Sequence, residues 1–101
     1  MVGMADLIPR TKTPRRRKLY VGLDARVTDE GRIDPLVVCW PDGRRFPIDE
    51  VVDRRSFGRP LKGVSTARYT VRLGRRLAYL YLERDERSGR SVDRWWVAAQ
   101  A

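Results

Sequence analysis

From Lys18 onward the chain alternates. Leu19, Val21, Leu23, Ala25 and Val27 interleave with Lys18, Tyr20, Gly22, Asp24, Arg26 and Thr28. Period-two alternation sustained over ten residues predicts a strand with one face buried. Asp29-Glu30-Gly31 then supplies a turn, with Gly31 able to take positive φ. The run Ile33 to Trp40 is apolar at nearly every position from Leu36, as for a strand covered on both faces. Pro41-Asp42-Gly43 predicts a hairpin turn. Arg44–Ile48 places Phe46 and Ile48 on one face, and Asp49–Ser56 continues or bends that strand. Residues 56–65 contain two glycines and a proline and are expected to form the long loop. Ala67, Tyr69, Val71 and Leu73 alternate with Arg68, Thr70 and Arg72, a second clear strand. Gly74-Arg75-Arg76 turns the chain into Leu77–Glu83. The polar stretch Asp85–Arg90 is a hairpin loop, and Val92–Val97 closes the pattern. No segment carries a 3.6-residue repeat with caps.

These elements predict an all-β meander of about six antiparallel strands. An open sheet of that size would expose two edges and a whole apolar face. Closing it into a small barrel, or folding it into two layers, removes both problems. An SH3-like barrel over residues 18–98 is favoured; barrel against sandwich stays open. Residues 1–17 are expected to be a disordered basic arm, because Pro9 and Pro14 oppose regular structure and Arg15–Arg17 repel one another.

Composition narrows the function classes. At 101 residues there is room for one domain, and 42% hydrophobic residues is ordinary for a globular chain. No run approaches the roughly 18 apolar residues of a membrane span. The first residues lack the apolar stretch and cleavage site of a secretory signal, so a cytoplasmic location is expected. Lysine and arginine total 22 against 13 acids, a formal +9. Residues 1–18 hold six bases and one acid, leaving +4 for the rest. A basic arm before a mildly basic body suits a polyanionic partner.

Candidate chemistry is sparse. Cys39 is the single cysteine, and the chain has no histidine to activate a thiol or ligate zinc. A buried structural thiol is the expected role. Asp49, Glu50 and Asp53 could hold a divalent metal for phosphoester cleavage, but Arg54 and Arg55 follow at once and favour an ion-pair network. The loop Gly58-Arg59-Pro60-Leu61-Lys62-Gly63 resembles a phosphate cradle without the helix that one needs. No catalytic residue, metal or cofactor is assigned, and no enzymatic role.

The arginines carry more weight. Arg68 and Arg72 project opposite the core, Arg75 and Arg76 crown their turn, and Lys18 points outward on the first strand. Guanidinium groups pair with phosphate and stack on bases. Adjacent strand residues point opposite ways, so one of Trp95 and Trp96 must leave the core. If Leu80 and Leu82 are inside, Tyr79, Tyr81 and Trp96 lie outside, a platform on which bases could stack. Packing beneath the arm is the plainer alternative for those rings.

The run PLVVCWPDGRRFPIDEVVDRRS, followed by ARYTVRL, YLYLE and DRWWV, resembles a family of short uncharacterised bacterial proteins. In that family a Trp-x-Asp-Gly-Arg hairpin leads into an Ile-Asp-x-Val-x-Asp-x-Arg strand, then Arg-Tyr-Thr and a Trp-Val ending. The shared positions are Trp40, Asp42, Gly43, Arg44, Ile48, Asp49, Val51, Asp53, Arg55, Arg68, Tyr69 and Thr70. We associate the family with genes near error-prone DNA polymerases and with mobile elements. The resemblance implies a small β-domain engaged in nucleic-acid transactions and implies no activity.

The expected function is therefore a non-enzymatic nucleic-acid-binding or accessory domain, acting on DNA or RNA with little sequence preference. Its expected contact residues are Arg15, Arg16, Arg17, Lys18, Arg68, Arg72, Arg75, Arg76, Tyr79 and Trp96. The alternative is a protein-interaction module that binds a partner chain through an exposed β-edge or aromatic groove. Neither involves a membrane or a small-molecule substrate.

Overall fold

The structure is a computed structural model that describes residues 16–56 and 59–100. Residues 1–15 of the expected arm, together with Phe57, Gly58 and Ala101, lie outside the described residues. Seven strands follow one another: β1 (Arg16–Val27), β2 (Ile33–Cys39), β3 (Arg45–Pro47), β4 (Glu50–Ser56), β5 (Val64–Leu73), β6 (Arg76–Asp85) and β7 (Val92–Gln100). No helix occurs among the described residues, and hence none long and apolar enough to cross a membrane. All pairings are antiparallel, in the sheet order β3-β2-β1-β7-β6-β5-β4.

That order forces the sheet to curl. Laid flat, strands spaced by about 4.8 Å would put the two edges of a seven-stranded sheet about 29 Å apart. The edges are β3 and β4, and only Ile48 and Asp49 separate them. Three peptide steps reach at most about 11 Å. The sheet must therefore wrap until its edges approach at this corner, and it forms a curled half-barrel. The two linking residues show the hand-over. Ile48 N donates to Leu36 O of β2 at 2.8 Å, whereas Asp49 N donates to Arg72 O of β5 at 2.9 Å. The single bent strand expected over Arg44–Ser56 is thus two strands serving opposite edges, which makes seven rather than six.

Inside the curl the alternating side chains meet. Val38, Val71, Leu73, Leu80 and Val97 are almost wholly buried, with Trp40, Tyr69, Ala78 and Leu82 beside them. Each such aliphatic side chain contributes about 1.5–3 kcal/mol by leaving water. Leu19, Val21, Leu23, Phe46 and Trp95 close over this cluster. Trp40 meets Phe46 edge-on at 5.7 Å, and Tyr69 meets Trp95 at 5.2 Å.

Several expectations need correction. β1 starts at Arg16, two residues inside the expected arm, and β7 runs on to Gln100. The alternation of β1 serves the core only to Leu23. A bulge between Asp24 and Ala25 shifts the register, and Val27 ends 66% exposed. β2 is not covered on both faces: Val38 is buried, but Leu36 is 46% exposed. Cys39 is half-buried on the outer face rather than in a dry core, with Arg45 Nη1 donating to its Sγ at 3.5 Å. The expected long loop holds a tight hairpin, in which Leu61 and Val64 exchange hydrogen bonds around Lys62 and Gly63. Both central residues have positive φ, 52° and 81°, as the right-handed twist of the flanking backbone demands of a two-residue turn.

Candidate nucleic-acid interface

The convex face of the sheet carries every side chain that alternates with the core. Strand registers align them in rows. Arg55 on β4 lies opposite Arg68 on β5, Arg68 opposite Tyr81 on β6, Tyr81 opposite Trp96 on β7, and Trp96 opposite Tyr20 on β1. On one side of this row stand Thr70 with Tyr79, and Ala98 with Lys18; on the other stand Thr66, Glu83 and Arg94. Directly opposed side chains on one face are close enough to touch.

They do touch, as alternating rings and cations. Tyr81 and Trp96 stack with centroids 4.0 Å apart and planes only 7° from parallel. Lys18 Nζ lies 4.9 Å from the Trp96 ring centre, Arg68 Cζ 4.5 Å from Tyr79, and Arg94 Cζ 3.5 Å from Tyr20. Each contact is worth about 0.5–1 kcal/mol when exposed and more when desolvated. In the middle sits a carboxylate. Glu83, 8% exposed, accepts from Lys18 Nζ at 2.8 Å and from the Tyr20 hydroxyl at 3.2 Å. The Lys18 hydrogen bond, against the opposing effect of burial, holds the Glu83 carboxyl below the usual glutamate range. Two donors on this face are buried without an acceptor: Arg68 Nε and Trp96 Nε1.

A basic rim adjoins this face. Arg16 and Arg17 of β1 lie opposite Gln100 and Ala99 at the end of β7. Since Leu80 pairs with Val97, the β6 register carried back to Arg76 reaches that same end of the sheet. The β5–β6 turn, with Arg75 and Arg76, therefore shares an end with the start of β1. Arg72 is there too, donating to Glu50 at 3.2 Å. Arg17, Arg75 and Arg76 are exposed and form no ion pair among the described residues.

Elsewhere the bases are mostly neutralised. Asp34 takes Arg26, Arg32 and Arg54, Asp24 takes Arg45, and Asp85 takes Arg87. Arg84 grips Asp93 with two bonds of 2.8 and 3.0 Å. The acidic cluster is similarly engaged. Asp49 accepts from Gly74 N at 2.7 Å, Glu50 from Arg72, and Asp53 from Arg55 at 3.1 Å. Among the described residues no group of three His, Cys, Asp or Glu side chains is placed to hold a metal. Positive charge left without a carboxylate is concentrated on the convex face and rim, apart from Arg59, Lys62 and Arg90 in loops.

Of the expected contact residues, Lys18, Arg68, Tyr79 and Trp96 come together on the convex face, and Arg16, Arg17, Arg72, Arg75 and Arg76 along its rim. Arg15 lies outside the described residues. The sequence pattern left Tyr20, Glu83 and Arg94 out of the site, and placed Tyr81 in the stacking platform without counting it among the contact residues. The parity of the strands held the signal: Tyr20 shares a face with Lys18, and Arg94 shares one with Trp96. The platform for bases is altered, because cross-strand neighbours already cover the rings. Tyr81 stacks on Trp96, and Lys18 Nζ lies over the same ring, 4.9 Å from its centre.

The hairpin residues of the motif behind the family resemblance have structural roles. Trp40 and Arg44 close the hairpin by Trp40 N donating to Arg44 O at 2.7 Å. Asp42 caps it by accepting from Arg44 N at 3.0 Å, and Gly43 supplies φ of 95°. Comparison with family models, curated proteins and solved structures returns no match.

Proposed function

We propose that this chain is a nucleic-acid-binding domain that grips the phosphate backbone with the convex face and rim of its sheet, without catalysis and with little sequence preference. The curled meander is read as an SH3-like small barrel, and the cytoplasm as its compartment. The observation that supports this most is convergence. Cations from β1, β5, β7 and the β5–β6 turn, far apart in sequence, gather on one surface, while among the described residues most of those elsewhere are paired with carboxylates, Arg59, Lys62 and Arg90 excepted. Arg68 adds a guanidinium with no ion pair among the described residues, beside rings that hold it in place. Since ring faces are covered, phosphate contact rather than base stacking is the expected main source of affinity.

The test is a salt titration of binding to single- and double-stranded DNA and RNA. Affinity should fall steeply with salt, with a slope of about 0.7–0.9 per phosphate contacted. Arg75→Ala with Arg76→Ala should weaken all sequences alike and make the slope shallower. No binding to any of the four at about 50 mM salt, where multi-phosphate contacts are strongest, would overturn the proposal. A protein partner would then be the reading to pursue.

A further inference from the structure

The Lys18–Glu83 pair is unusual in its reach. Lys18 lies on β1 and Glu83 on β6, with β7 between them. The pair therefore spans a whole strand, and the ring it crosses is Trp96, with Lys18 Nζ 4.9 Å from the ring centre. Tyr20, also on β1, makes the same crossing to Glu83. On the strand between, Arg94 stands directly opposite Glu83 in register. One buried carboxylate thus engages two groups from β1 and faces a third from β7, and all of them surround the Trp96–Tyr81 stack.

We infer that Glu83 is a built-in counter-anion, a strap across Trp96 that an oligonucleotide backbone displaces, its phosphates replacing the carboxylate as partner of Lys18 beside Arg94. The inference rests on the nucleic-acid reading and names what that site selects. A single phosphate competes against a carboxylate already held within the molecule and offers one contact in exchange. A chain of phosphates gains the rim arginines as well, and so can open the strap. The site should accordingly take oligonucleotides and refuse mononucleotides and inorganic phosphate. Release of Lys18 also removes the cation from over the Trp96 ring and gives a base more access to it. The expected preference is for single strands over duplex.

Glu83→Gln keeps the volume and removes the charge. It should bind oligothymidylate about three- to tenfold more tightly than wild type, as one further cation becomes available, with a salt slope steeper by about 0.7. In a Lys18→Gln background the same change should give a markedly smaller gain, because Glu83 acts in part through Lys18. A readout independent of variant folding is the Lys18 ammonium resonance of the wild-type chain. It should leave its carboxylate-bonded position at saturating oligothymidylate and stay there with inorganic phosphate. Wild type that binds while Glu83→Gln binds equally or more weakly overturns the strap and leaves the nucleic-acid reading standing. An unmoved Lys18 resonance in a saturated complex does the same. Binding only by Glu83→Gln would mean that an oligonucleotide does not displace the carboxylate in the wild-type chain, and it overturns both readings, as does binding by neither.

Discussion

Trp95 and Trp96 are neighbours in sequence with the same side chain, yet they belong to different surfaces. Trp95 packs inward against Tyr69 and closes the core, which is built mainly from aliphatic side chains of β2, β5, β6 and β7. Trp96 faces outward, stacked on Tyr81 beneath Lys18, with an indole N–H lacking an acceptor. The inner face is stabilised by removal of apolar area from water, which is insensitive to salt and needs only shape. The outer face is held by stacking, cation–π contacts and ion pairs such as the half-buried Lys18–Glu83, which are weaker, directional and exchangeable. A ligand can take over contacts of the second kind. It has no access to the first. The sheet therefore divides its labour between faces, one fixing the fold and the other available for recognition.

The comparison breaks most visibly in the core. Leu80→Ala should cost about 2–5 kcal/mol in urea unfolding, since the side chain is almost wholly buried and its site has little room to collapse. A cost below about 1 kcal/mol would show that the inner face is not the core. The two tryptophans give the next contrast. Trp95→Ala should lose about 3 kcal/mol, whereas Trp96→Ala should lose about 1–2 kcal/mol of stacking and cation–π energy. Only the second should weaken oligonucleotide binding. Equal losses of stability would mean that the outer stack is a second core.

Arg68→Ala sharpens the outer face alone. Its Nε has no acceptor and it forms no ion pair among the described residues, so the loss of stability should stay near that of its contact with Tyr79, about 0.5–1 kcal/mol. Affinity for oligonucleotides should still fall about three- to tenfold, measured by fluorescence anisotropy. The smallest expected effect is in pH. Glu83 has its pKa lowered by folding, so the stability it provides is complete above the unfolded value near 4.5 and is lost as pH falls through the lower folded value. Asp85, held down to about 2 by Arg87, loses its share further into acid. Thermal melts between pH 6 and 3 should show a steeper acid loss for wild type than for Glu83→Gln; coincident curves would place the carboxylate outside the outer network.

Much of the fold was legible because alternation is a local property. Period two at Leu19–Leu23 and Ala67–Leu73 follows from pleating alone, and the turns at Gly43 and Gly74 follow from residues that accept positive φ. The breaks were not legible. Nothing about Asp24 and Ala25 announces a bulge, and the hand-over at Ile48 and Asp49 depends on β2 and β5, both remote in the chain. Cys39 looked buried because its neighbours Val38 and Trp40 are, but parity sends it to the other face. For the site, parity sorted Lys18, Arg68, Tyr79 and Trp96 onto the outside.

What the sequence determined by itself was the class of structure and the composition of each strand face, since both arise from alternation within single segments. It also determined the excess of positive charge. Only the tertiary structure decided which outward residues are neighbours, because that depends on strand order and register between residues as far apart in sequence as Arg16 and Gln100. Placing β1 beside β7 brings Lys18 over Trp96 and onto Glu83, and brings Arg16 and Arg17 to the end that holds Arg75 and Arg76. Had β1 been left at an edge of the sheet, the same residues would have stood apart as scattered surface charges.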